Sequence, residues 1–530
     1  MLFIFLTIAA VIVVLIYIRI SSREFDHWKK QGVKHEKPLP LIGNMLPAII
    51  CSKSLTEIIK YFYDAFPTER YVGVYEFAKP VLLIRDPELI KSLTIKNFEH
   101  FVDHSGFVAS GIDPIWEKGL FASQGERWRD LRQTLSPAFT SSKMRAMFFL
   151  MDECAKQLIH FLSTENKDVI NVDLKDLFTR YANDVIATTA FGIKCDSFKF
   201  KNNEVLLSGK RFADFTGLKK FKFMLYGNPV LAKFLNVKLV PDQVANFFRT
   251  IIDETVRVRE EKKITRPDLI HLMMLSRKGK LKFEEYIKLP KDGFAAVEES
   301  ETGRNENNPK YLTNEDITAQ VLVFFLGAYD TSSSTIAFAG YELAVNPLIQ
   351  KKLRQELGKA HKACDGNITY EKLLELKYLD MVISETLRKW PQGSRLDRKC
   401  TKAFEIQPER VGEQVVKLKE GDFCWIPVYG LHMDPNYFPN PDAFDPERFN
   451  DENIEKIQPC TYLPFGSGPR NCIGSRFALL ETKIVLYYLL LEFEFVPTEK
   501  TQIPIKIRKD SALLLPEKGF HIGFKRSRIF

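Results

Sequence analysis

The chain has 530 residues, 45% of them apolar, with 76 Lys and Arg against 67 Asp and Glu and eight cysteines. That length allows several domains and a large core. Eight singly scattered cysteines exclude a disulfide-stapled scaffold, and with no Cys-x-x-Cys pair they offer neither a zinc site nor dithiol chemistry. They read as inert thiols in a reducing compartment, and a net charge of +9 leaves no nucleic-acid footprint.

From Met1 to Ile18 every residue except Thr7 is apolar. With Arg19 and Ile20, residues 1–20 are long enough to cross ~30 Å of hydrocarbon as a single transmembrane helix. A cleaved signal peptide is the alternative, but no basic residue precedes the run and no small-x-small site follows it. Arg19, Arg23, Lys29, Lys30, Lys34 and Lys37 all follow, so the positive-inside rule places the rest of the chain in the cytosol. Residues 21–45 form a basic, proline-containing linker, where Pro38 and Pro40 exclude helix. From 46 to 530 the pattern is one helix-rich body, broken by β-like runs at Tyr71–Tyr75 and Val81–Ile84. Glu298–Lys310 is charged, lacks apolar periodicity and reads as a surface loop.

Thr313-x-x-Asp316 is a capping-box signature that opens a proline-free run to Pro347. About 33 residues at ~1.5 Å each make a helix that must cross the whole domain. At its middle the apolar pattern gives way to Gly327-Ala328-Tyr329-Asp330-Thr331-Ser332, which places polar groups inside protein. The Thr331 hydroxyl has the right spacing to bond the Gly327 carbonyl one turn back.

Phe465-Gly466-Ser467-Gly468-Pro469-Arg470-Asn471-Cys472-Ile473-Gly474 precedes the run Arg476–Phe493. Gly468 and Gly474 permit turn geometry and close backbone approach around Cys472. A helix N-terminus favours a thiolate, a thiolate can ligate a metal, and Arg470 can pair with an anionic group of the same cofactor. With this segment the sequence strongly resembles the cytochrome P450 family over nearly its whole length. The resemblance implies a mainly α fold with small β-sheets, a prism of about a dozen helices around haem b, and an axial thiolate from Cys472.

Further motifs carry the resemblance. Glu385-x-x-Arg388 puts an ion pair on one helix face, and Phe444-Asp445-Pro446-Glu447-Arg448-Phe449 resembles the segment that donates a second arginine. Glu385, Arg388 and Arg448 would form a structural triad. Trp128 and Arg132 lie four apart in Trp128-Arg129-Asp130-Leu131-Arg132 and would bind haem propionates with Arg398 and Arg470. Phe465, Gly468 and Gly474 complete the expected cofactor set, and His104 is a further guess for a propionate contact. Asp330 and Thr331 resemble the proton-delivering pair of the oxygen-activating groove, with Ala328 and Asp330 where the family more often has Gly and often has Glu.

The activity so implied is a monooxygenase that inserts one atom of dioxygen into a substrate. With no Gly-x-Gly-x-x-Gly fingerprint, electrons are expected from NADPH–cytochrome P450 reductase, with cytochrome b5 as a second donor, at the endoplasmic reticulum membrane. Phe outnumbers Tyr 42 to 18. Phe101, Phe107, Phe121, Phe212, Phe215, Phe221, Phe223 and Phe234 suit an aromatic pocket for lipophilic substrates or an ordinary core alike. Lys219, Lys220 and Lys222 interleave with Phe221 and Phe223 as in a segment that dips into membrane lipid. The motif variants most resemble insect detoxification enzymes and the vertebrate 3A drug-metabolising subfamily. The competing functions are a haem-thiolate isomerase or dehydratase that uses no dioxygen, and a membrane-tethered haem or ligand carrier.

Overall fold

The computed structural model describes residues 25–105, 111–213, 229–234, 238–278, 293–297, 312–511 and 513–527. The expected membrane helix at 1–20, the loop Glu298–Lys310, the Lys219–Phe223 segment and Phe107 and Phe215 lie outside them.

The longest helix runs Asn314–Val345. Its start is fixed as the sequence predicts: the Thr313 hydroxyl accepts from the Asp316 N–H at 3.1 Å, and the Asp316 carboxylate accepts from the Thr313 N–H at 3.0 Å. It ends before Pro347, the first residue of the next helix, Pro347–Ala363. Apolar on most sides, it is covered by helices Leu174–Ile186, Asp242–Lys262 and Lys377–Lys389. Phe325 packs its ring at a tilt against Phe191 and Phe248, which seals the side facing Asp242–Lys262. Helix Ser475–Glu492, which follows Cys472, packs against Ser141–Ser163 and against the crossing helix.

Nine short strands make three small sheets among the described residues. The first sheet contains β1 (Tyr71–Glu76), β2 (Lys79–Ile84), β4 (Leu396–Lys399) and β7 (Phe423–Ile426) in the order β1-β2-β7-β4. β2 and β7 pair in parallel with Val81 opposite Phe423, and β4 returns antiparallel with Leu396 opposite Ile426. β3 (Val169–Asp173), β8 (Phe493–Val496) and β9 (His521–Arg526) form a second sheet. A hairpin of β5 (Phe404–Ile406) and β6 (Val416–Leu418) makes the third. Both runs read as β-like in the sequence are therefore strands.

Trp28, within the segment read as a linker, is 1% exposed and donates from its indole to the Val74 carbonyl at 3.2 Å. Its ring occupies the space where a side chain at Gly73 would stand. Residues 28–45 thus lie on the first sheet as part of the packed body.

Candidate functional site

The Cys472 loop is a closed turn built from backbone. The Cys472 N–H donates to the Phe465 carbonyl at 2.8 Å, and the Asn471 N–H donates to the Gly468 carbonyl at 2.9 Å. Gly468 has φ +72°, and a Cβ there would stand 1.8 Å from the Thr94 carbonyl oxygen, so no other residue fits. Gly466 also has positive φ. Gly474 has an ordinary backbone conformation. Its φ is −93° and nothing lies within 4 Å of an added Cβ, because it faces open space as the N-cap of Ser475–Glu492. The Cys472 side chain is accessible in front and hemmed in by protein behind. Burial pushes its thiol up, with the Gly474 N–H and the Arg132 charge opposing. A ligated metal ion would deprotonate the sulfur outright.

Three arginines meet at this loop. Arg132, on helix Gly125–Leu135, donates to the Asn471 carbonyl at 2.9 Å and to the Asn471 side-chain oxygen at 2.6 Å. Arg398, on β4, donates to the Ser467 carbonyl at 3.1 Å and to the Asp397 carbonyl at 2.8 Å, while its buried Nε has no hydrogen-bond partner. Arg470 donates to the carbonyls of Val102 at 2.7 Å and Ser123 at 2.8 Å, and reaches Asp103 Oδ1 at 3.3 Å. Its guanidinium lies 4.1 Å from the centre of the buried Trp128 ring. Burial lowers Arg398 to about 10 and Arg470 to about 9, so both stay charged at neutral pH. His104 Nδ1 lies 3.2 Å from Asp397 Oδ1 and the ring stacks on Phe121. Burial lowers its pKa, with the Asp397 carboxylate opposing.

The crossing helix turns an accessible stripe toward its interior side. Val323, Phe324, Gly327, Ala328 and Thr331 are partly or fully accessible, while Val321, Leu322, Phe325, Tyr329, Ser332 and Ser333 are buried. The spacing of one and two turns puts the accessible set on one face. Nothing lies within 4 Å of a Cβ added at Gly327, and the Thr331 hydroxyl donates to the Gly327 carbonyl, as its spacing predicts. Asp330 faces elsewhere. Lys175 Nζ lies 2.5 Å from Asp330 Oδ1 and 3.1 Å from its carbonyl, and also bonds Ser333 and Ser334 at 2.8 and 2.7 Å. Lys175 was not legible as a site residue. Neither was Glu481, which is buried on the helix after Cys472; burial pushes its carboxyl up to about 8, with the Ser332 hydroxyl opposing.

Glu385 and Arg388 make a two-pronged bond at 2.7 and 2.8 Å, and Arg448 Nε reaches Glu385 Oε1 at 3.4 Å. Arg388 also donates to the carbonyls of His432, Pro441 and Ala443. His432 is an addition that the sequence reading missed. Its Nδ1 bonds the Arg388 carbonyl and its Nε2 accepts from the Leu463 N–H at 2.8 Å, which ties the cluster to the segment leading into the Cys472 loop.

Of the expected pocket phenylalanines, Phe121 is partly exposed beside His104 and Phe212 is buried. Phe101 instead fills the core of the first sheet against Phe404, and Phe234 is 84% exposed on the surface. Aromatic composition alone does not separate a pocket wall from a core.

An accessible thiol on a glycine-pinned loop, three buried guanidiniums around it and an orphaned Arg398 Nε fit a planar metal-bearing group with carboxylate arms, as haem is. A family model described as Cytochrome P450 matches residues 33–524. The chain is 43% identical to cytochrome P450 9e2 of Blattella germanica, over 98% of this chain and 97% of that one. It is 39% identical to probable cytochrome P450 9f2 of Drosophila melanogaster, over 98% and 99%. Cytochrome P450 6k1 of Blattella germanica is 36% identical over 98% and 97%.

Proposed function

The chain belongs to the cytochrome P450 family and is a haem-thiolate monooxygenase, and on that premise we propose how its residues divide the reaction. Cys472 would ligate the iron of haem b, while Arg132, Arg398, Arg470 and Trp128 would receive the propionates, since guanidinium forks suit carboxylates. Bound there, haem supplies activation of dioxygen and transfer of one oxygen atom to the substrate. The observation that carries this reading is that Arg132, Arg398 and Arg470 all hold the loop of the accessible Cys472.

Thr331 holds a proton at its Oγ1 on the accessible stripe, and Asp330 with Lys175 forms the route by which that proton is renewed from solvent. Glu385, Arg388 and Arg448 keep the surrounding segments in register and touch no reacting atom. Electrons come from a separate reductase partner, as is general in the family; cytochrome b5 is a second donor. The substrates are lipophilic small molecules, xenobiotics among them, reached from an endoplasmic reticulum membrane to which residues 1–20 anchor the chain.

Reduced membranes treated with carbon monoxide should show the strongly red-shifted Soret band of a haem thiolate. A Cys472→Ser variant should lose it, and an unchanged band would overturn the ligand assignment. Product formation with NADPH and reductase separates this activity from isomerase, dehydratase or carrier function, since turnover without NADPH would contradict it.

A further inference from the structure

We infer that Asp113 is a positioning residue for bulky ligands, because its carboxylate latches the strap 111–123 to the turn at Leu239 and Val240 that enters helix Asp242–Lys262. The inference rests on reading the accessible stripe as the substrate side. Asp113 is 1% exposed. One oxygen accepts from the Trp116 N–H at 3.2 Å and so caps the short helix Pro114–Glu117. The other accepts from two backbone N–H groups outside the strap, Leu239 at 3.1 Å and Val240 at 2.8 Å. Three converging N–H donors suit a carboxylate, which has acceptors only.

Two more tethers show what the latch positions. Gln320, fully buried on the crossing helix, accepts from the Leu120 N–H and donates to the Lys118 carbonyl, both at 2.8 Å. Gly119 lies so close to Val323 that a Cβ would stand 2.3 Å from that side chain, so the strap rests on the accessible stripe. At the far end the Ser123 carbonyl receives Arg470 at 2.8 Å, and between them Phe121 stacks on His104 with centroids 5.0 Å apart. Gln320 and Arg470 fix the strap to the crossing helix and to the Cys472 loop. Asp113 fixes it across to the helix that covers the other side. Phe121, exposed at 37%, therefore stands on a strap that Asp113 joins to a second element. A ligand too large to pass with the latch closed must break these bonds on its way in and out.

Asp113→Asn leaves one acceptor for three N–H donors and removes the charge. Turned to Leu239 and Val240 its oxygen leaves the cap unmade; turned to Trp116 its NH2 faces the Leu239 and Val240 N–H groups, donor against donor, and the latch is weakened in both orientations. The probes are imidazole and the bulky azole clotrimazole, followed by the Soret shift on iron ligation in the holoenzyme. Association and dissociation of clotrimazole should each accelerate about tenfold, the scale of one lost hydrogen bond to a charged group. Imidazole rates should stay within about twofold, and the carbon monoxide band should keep its amplitude. Val240→Pro deletes a donor and leaves the cap untouched, and should give the same acceleration. If Val240→Pro keeps the band and binds clotrimazole at the wild-type rate, the latch is refuted. In the wild-type enzyme the Leu239 and Val240 amides should be protected from hydrogen exchange; free exchange there overturns the inference even if both variants fail to fold. A missing carbon monoxide band in the wild-type protein would instead indict the haem-thiolate reading.

Discussion

Two buried arginine clusters flank the Cys472 loop and are satisfied in different ways. Around Glu385, one carboxylate grips Arg388 through two short bonds and reaches Arg448 as well. Around Cys472, Arg398 is met by neutral carbonyls and Arg470 by carbonyls and one longer carboxylate contact, and burial pulls both guanidiniums down. A charge gripped by its counter-ion has no need of a ligand. A buried guanidinium faced mostly by dipoles still gains from a carboxylate. The first cluster is accordingly structural, and the second is prepared for an anion that the protein itself does not supply.

The comparison breaks most visibly at Glu385. Burial pushes its carboxyl up, and the charges and hydrogen bonds of Arg388 and Arg448 oppose this. Glu385→Gln leaves two guanidiniums without their counter-ion and should cost ~3–5 kcal/mol, the scale for breaking a buried pair. Thermal unfolding should show that loss together with a low haem content. Arg398→Gln should act differently. It should leave the unfolding of the haem-free chain nearly unchanged and speed transfer of haem to apomyoglobin by about 10- to 100-fold, the effect of one charged hydrogen bond. Equal losses of apoprotein stability in the two variants would erase the distinction.

What the sequence made legible was local. The Thr313–Asp316 cap, the Glu385–Arg388 pair and the Thr331–Gly327 bond each span three or four residues, so helical spacing alone predicts them. Arg448 and the propionate arginines needed the family resemblance, because nothing local says which distant loop will return. Lys175 and Asp330 lie 155 residues apart, and His104 and Asp397 lie 293 apart. Packing of whole elements creates such pairs, and no single-chain pattern encodes them. Gly468 and Gly474 read alike in the motif, and only packing distinguishes them: Gly468 sits against the Thr94 carbonyl with positive φ, while Gly474 has an ordinary φ and open space beside it.

His432 sharpens the contrast through pH. It is wholly buried beneath the Glu385 cluster and its pKa is lowered from 6.5 to about 3, by burial first and then by the Arg388 charge. Above pH 6.5 it is neutral folded or unfolded. As pH falls below 6.5 the unfolded chain takes up a proton that the folded chain refuses, so stability drains by about 1.4 kcal/mol per unit until pH ~3. His432→Gln, whose side-chain oxygen can still accept from Leu463, should remove this slope. Urea midpoints at pH 7.5 and 5.5 measure it, and an equal drop in both proteins would place the acid sensitivity elsewhere.

A small effect on stability and a modest one on turnover belong to Lys175, whose pairing with Asp330 falls between the two clusters. The pair is close, as at Glu385, but Lys175 is 24% and Asp330 14% exposed, so solvent screens it. Lys175→Met should therefore cost no more than about 1 kcal/mol in thermal unfolding, the upper range for such pairs. Its consequence for turnover is larger, because Lys175 holds both the side chain and the carbonyl of Asp330, one residue before Thr331 on the accessible stripe. With that hold removed, the Asp330 carboxylate no longer keeps one orientation, and renewal of the Thr331 proton should slow. Product formed per NADPH consumed should fall about two- to threefold, well below the ~100-fold of a lost general acid, while the carbon monoxide band stays intact. An unchanged product ratio would show Lys175 to be a staple between two helices, and would remove Asp330 from the proton route.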